Sequence, residues 1–235
     1  MLLLLAAGGW AWTLTAGDMG RMAGMESTGA ADPALFAGFM IGWVAMMAAM
    51  MFPAIILVVR LYGLAAGKGS VAPIPWFVAG YLLVWSAAGI PSYVAWRELE
   101  APLAAAAPWV ARLAGVVLLA AAVYQLTPLK TVCLRHCRSP LTFFTHHGRS
   151  LRSPARAVRA GLAHGSYCLG CCWLLMAILV AFGTMHLGWM LALGALIVLE
   201  KTAPRGEAIA RAAAAAFAAL GLWLILNPEI IDSLI

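Results

Sequence analysis

Apolar runs of about bilayer length follow one another along this chain, and that pattern decides what it can become. About 20 consecutive apolar residues in a helix cross a hydrocarbon core. Such runs stand at about 1–16, 34–59, 76–96, 109–126, 164–185, 188–203 and 208–226, with short polar joints between most of them. The expected fold is all-α, a polytopic transmembrane bundle of about seven helices forming one membrane domain over residues 1–235. Charged residues make up 10% of the chain and the mean hydropathy is +0.94, whereas soluble domains carry roughly 25% charged residues to coat their surface. The lipid bilayer is therefore the expected solvent, and a soluble enzyme is excluded.

The net charge of +6 does not point to nucleic acid. The basic residues sit in the joints and are not interleaved with aromatics on one polar face, so they read as topology signals. Seven of them, Lys130, Arg135, Arg138, Arg149, Arg152, Arg156 and Arg159, fall in the longest joint, 127–163. Cytoplasmic loops collect Lys and Arg, so this joint is expected to be a cytoplasmic basic loop. Asp18, Glu26, Asp32, Glu98, Glu100, Glu229 and Asp232 then lie on the opposite side. That threading gives a multi-pass membrane protein with its N-terminus inside and its C-terminus outside. The first run lacks the basic leader of a secretory signal and is read as a retained helix, with a cleaved signal as the alternative. Pro53 is expected to kink the second run. The sequence shows no phosphate-binding glycine loop, no GxSxG elbow and no paired carboxylates within a helix, so hydrolytic and nucleotide chemistry find no support.

All five cysteines lie near one expected membrane face, in Cys133-Leu-Arg-His136-Cys137 and in Cys168-Leu-Gly-Cys171-Cys172. His164, Cys168, Cys171, Cys172 and Met176 share one helix face by their spacing of three or four. Thiolate and imidazole suit soft or borderline cations, Cu(I) or Zn(II), while Mg and Ca call for oxygen ligands. His146 and His147 lie in the same basic joint and extend the set of possible ligands. The alternative reading is that these cysteines are small apolar residues at helix interfaces.

Methionines form a second pattern: Met19, Met22 and Met25 in the first outer joint, and Met46, Met47, Met50 and Met51 in the second run. Thioether sulfur is a soft, uncharged ligand that binds Cu(I) without the desolvation cost of a carboxylate. The outer triad reads as a copper-collecting site. The buried set reads either as a relay or as gap-filling packing. Glu200 and Lys201 adjoin at the inner end of the sixth run and Lys130 begins the cysteine joint, and these ionisable residues are expected to satisfy themselves as an ion pair at the interface.

Three blocks carry a resemblance. They are Trp43 to Pro53 with its MMxAMM core, Tyr124 to Pro140 with CLxxC, and His164 to Met176 with HGxxCxGCCWxLM. Gly183 to Met185, Trp189-Met190 and Glu200-Lys201 extend it in the same order. These blocks resemble a bacterial family of predicted metal-binding integral membrane proteins, catalogued as a domain of unknown function. The resemblance implies a multi-helix membrane fold and metal binding through the matching Cys, His and Met positions. Copper, with zinc as the alternative, is expected from ligand softness alone. Transport, storage or delivery of Cu(I) to a partner membrane protein or metallochaperone would all use such ligands, with no nucleic acid involved. Two other functions fit the same residues. One is a membrane thiol–disulfide oxidoreductase, with Arg135 and His136 depressing a cysteine pKa. The other is a structural or assembly subunit, with small residues such as Ala212 to Ala216 admitting a partner helix.

Overall fold

In the computed structural model the described residues are 2–4, 6–11, 33–65, 73–105, 107–138, 153–183 and 186–229. They form α1 (Leu2–Ala11), α2 (Pro33–Ala65), α3 (Pro73–Ala104), α4 (Pro108–Gln125), α5 (Pro128–Arg138), α6 (Pro154–Ala181), α7 (Leu187–Thr202) and α8 (Gly206–Leu226). No strand occurs among the described residues, so the all-α expectation holds. Helices α2 to α6 each begin on proline, whose missing N–H has no intrahelical partner at that position and whose fixed φ already suits a helix.

Helices α2, α3, α4, α6 and α8 are long and apolar enough to cross a membrane. α7, with 16 residues, spans about 24 Å, and α1 is shorter still. All seven apolar runs contain helix, but five helices reach crossing length. α2 runs on through Pro53 to Ala65.

The segment expected as a loop, 127–163, carries helix at both ends: α5 and the opening of α6. The physical reason is amphipathicity. Lys130, Cys133, Leu134 and Cys137 bury one face of α5, while Arg135 and His136 point outward. Averaged hydropathy hides such a helix, although its spacing of three and four residues is regular.

α6 is the hub, packing against α3, α4, α5 and α7. Its contact with α3 is backbone to backbone. A Cβ placed on Gly161 would stand 2.0 Å from the Phe77 carbonyl oxygen, and one on Gly80 would stand 2.2 Å from that of Val158. α4 and α8 meet in the same way, since a Cβ on Gly115 or Gly221 would lie 2.7 Å from the other's carbonyl oxygen. Small residues let apolar helices approach closely where lipid supplies no hydrophobic drive to associate. α2 lies against α3 and α7, and the Trp43 indole donates to the Trp85 carbonyl at 2.9 Å.

Candidate metal centre

The α6 stripe forms as its spacing predicts: His164, Cys168, Cys171, Cys172 and Met176 are all buried. Because Gly161 and Gly80 bring α3 so close, Tyr81 reaches across, and its hydroxyl stands 3.0 Å from Cys168 Sγ. On the other side the Lys201 ammonium donates to the same sulfur at 2.9 Å. The His164 ring lies about one turn earlier, with centroids 6.0 and 6.1 Å from Phe77 and Tyr81. The Cys171 and Cys172 thiols both donate to the Cys168 carbonyl, at 3.1 and 2.9 Å. Those bonds occupy thiol hydrogens that would otherwise be buried without partners.

α5 brings the other two cysteines. Cys137 Sγ lies 3.9 Å from Cys171 Sγ. Cys133 packs over Gly170, where a Cβ would stand only 2.8 Å from the Cys133 sulfur. The Tyr124 hydroxyl closes that corner by donating to the Gly170 carbonyl.

Buried charges dock α5. The Lys130 ammonium meets the Glu200 carboxylate at 2.7 Å, with both side chains buried. Gln125 Nε2 donates to the other carboxylate oxygen at 2.8 Å. The Arg138 guanidinium donates to the Glu200 carbonyl at 3.0 Å and to that of Ala203, carbonyls freed by the end of α7. Cationic groups are favoured at such helix C-termini. Arg135 and Glu207 add an exposed pair at 3.0 Å. Glu200 and Lys201 therefore do not pair with each other. Neighbours in a helix point about 100° apart, so Glu200 turns to α4 and α5 and Lys201 to the sulfur of α6.

Burial raises the Cys133 thiol above its ordinary pKa, and the neighbouring Cys171 adds to the effect. Hydrogen bonds with Cys168 and Cys171, then burial, hold Cys137 well above its own. Both are neutral thiols at neutral pH, so a metal bound there must displace their protons.

Other expected ligands lie elsewhere. His136 is exposed on the outer face of α5, stacked on Tyr167 at 4.4 Å, with Nδ1 2.9 Å from the Val132 carbonyl. Met46, Met47, Met50 and Met51 are fully buried, and Met50 sits alongside Gly194 of α7, 3.6 Å from where a Cβ would stand. Met176 lines an apolar cavity of about 760 Å³ together with Trp43, Trp85 and Trp173. Met19, Met22, Met25, His146 and His147 lie outside the described residues.

Among the described residues, no three Cys, His, Asp or Glu side chains stand ready to enclose a metal ion. Two sulfurs do approach across the α5–α6 interface, those of Cys137 and Cys171. At 3.9 Å apart, each could lie about 2.3 Å from one ion, subtending about 115°. The donor set is soft and free of carboxylate, which matches copper.

Comparison with known families agrees. A family model described as copper chaperone, PpoB2, matches residues 40–224, a stretch that contains all five cysteines and Met46, Met47, Met50 and Met51 of α2. The chain belongs to this copper chaperone family. Its role is accordingly copper-related. No curated protein and no solved structure matches the chain. The Met19, Met22 and Met25 triad precedes the matched residues.

Sequence reasoning missed Tyr81 and Gln125 and did not place Lys201 against the Cys168 sulfur, while the expected ion pair at this corner is the one between Lys130 and Glu200. A lysine within an apolar run was itself a usable signal, since ionisable residues there face a partner or a site.

Proposed function

We propose that this protein is a Cu(I)-binding chaperone of the bacterial inner membrane that holds the ion between Cys137 and Cys171 and passes it to a partner. The observation that carries the reading is the 3.9 Å approach of these two sulfurs across the α5–α6 interface. Two thiols give up their protons as Cu(I) binds. Release proceeds by ligand exchange onto soft ligands of a partner membrane protein or metallochaperone, with no change of oxidation state. Cys133, Cys168 and Cys172 adjoin the pair, with His164 one turn before Cys168 and Met176 one turn after Cys172 on the same buried face of α6. The α2 methionines Met46, Met47, Met50 and Met51 extend soft ligands through the bundle, and Met19, Met22 and Met25 collect copper outside.

The distribution of basic residues supports a cytoplasmic α5, an inside N-terminus and an outside C-terminus. α6 has 28 residues and spans about 42 Å, more than the roughly 30 Å hydrocarbon core. Its opening turns, with Arg156 and Arg159, then stand in the cytoplasmic headgroup layer, and Cys168, Cys171 and Cys172 lie in the inner half of the membrane.

The test is metal analysis of the detergent-purified full chain after anaerobic Cu(I) loading. Stoichiometric copper in the parent protein, lost in Cys137→Ser/Cys171→Ser, is the expected result. Equal copper in both proteins would sink the proposal, and zinc retained in place of copper would change the metal assigned.

A further inference from the structure

The sulfur cluster that the proposed function fills with a cation already contains a buried charge. Lys201 is 7% exposed, and its ammonium donates to Cys168 Sγ at 2.9 Å. The other buried charges among the described residues, Lys130 and Glu200, neutralise each other at 2.7 Å. Lys201 has no carboxylate partner among the described residues, and the groups around it are thiols, the buried His164 imidazole and the Tyr81 hydroxyl, which stands 3.0 Å from the same sulfur.

We infer that Lys201 is a specificity-determining residue that sets the site's preference for a monovalent over a divalent metal ion. The inference rests on the reading of Cys137 and Cys171 as ligands. Net charge in a low-dielectric interior is penalised. A divalent ion meets one more unit of repulsion from the ammonium than a monovalent ion at the same position. That extra unit, at the separation of neighbouring side chains, exceeds a tenfold effect in affinity at the effective dielectric of buried sites.

The experiment uses the full chain in detergent and two competition titrations against chromophoric chelators, one with Cu(I) under anaerobic conditions and one with Zn(II). The quantity read is the ratio of the two affinities, which a general loosening of the fold lowers on both sides and leaves in place. Lys201→Met, close in volume and uncharged, is expected to shift the ratio about tenfold or more toward zinc. Lys201→Gln should do the same, which covers the case in which Lys201→Met fails to fold, and Lys201→Arg should keep the parent ratio. An unchanged ratio in the neutral variants, with copper still held by the parent protein and lost in Cys137→Ser/Cys171→Ser, would overturn the role of Lys201 alone. Failure of the parent protein to hold either metal would overturn the two-sulfur site and this inference together.

Discussion

Removing the Glu200 carboxylate tests how α5 is held. In Glu200→Leu the Lys130 ammonium keeps its buried station but loses the oxygen 2.7 Å away, and Gln125 Nε2 loses its acceptor. Breaking one side of a buried ion pair costs about 3–5 kcal/mol, because the surviving charge is left uncompensated. Replacing both partners by apolar residues of similar size is often close to neutral. Lys130→Met/Glu200→Leu should therefore recover most of the loss, leaving about 1 kcal/mol for the stranded Gln125 amide. The five buried cysteines provide the assay, since a fluorogenic maleimide labels them as the protein unfolds on heating. The single variant should melt on the order of 10 °C lower, with the double variant close to the parent. Copper retention should follow the same order, because Cys137 rides on α5. Equal losses in the single and double variants, or a single variant melting with the parent, would refute the argument that this ion pair docks α5.

Further outcomes follow from the same geometry. Gly161→Leu should abolish a monodisperse peak in size-exclusion chromatography, since its Cβ alone would stand 2.0 Å from a backbone oxygen of α3. Gly38→Ala, with nothing within 4 Å of the new methyl, should be neutral or gain up to about 1 kcal/mol of helix propensity. His136→Ala should retain parental copper content by metal analysis, because the ring faces outward against Tyr167, and a loss of copper would return His136 to the ligand set. Diamide treatment of the copper-free protein should link Cys137 to Cys171 in peptide mass spectra, and prior Cu(I) loading should suppress the link. Any other pairing as the main product would contradict the 3.9 Å approach.

The all-helical class and the buried cysteine face of α6 were legible because they depend on local quantities. A run of apolar residues is a helix in lipid whatever its neighbours do, and residues spaced by three or four share a face. α5 was not legible as an element, because its opposed basic and apolar faces cancel in an averaged hydropathy. Nor was the pairing of Cys137 with Cys171, which are separated by a joint whose path the sequence does not specify. The choice of partner within the Lys130, Glu200 and Lys201 group has the same origin. Helical geometry sends the adjacent Glu200 and Lys201 side chains to different helices, one to Lys130 and the other to Cys168. Tyr81 had no motif at all. Its reach to Cys168 follows from the glycines at 80 and 161, which set how closely α3 approaches.

Drawing the two proposed ligands from separate helices would make metal binding and helix docking one equilibrium. An ion held by Cys137 and Cys171 binds only the docked arrangement, so it must stabilise docking by as much as docking strengthens its binding. Lys130, Arg135 and Arg138 already supply docking contacts without metal, so the site is formed in advance and copper need not order α5 at its own expense. At a free copper concentration 100 times the dissociation constant, the added stabilisation is about 2.7 kcal/mol, roughly a hundredfold in the opening equilibrium. Amide hydrogen exchange in residues 128–138 reads that opening directly. Cu(I) loading should slow exchange there, and in Cys137→Ser it should have no effect on α5. Unchanged exchange in α5 with copper bound would place the ion entirely on α6 and remove Cys137 from the site.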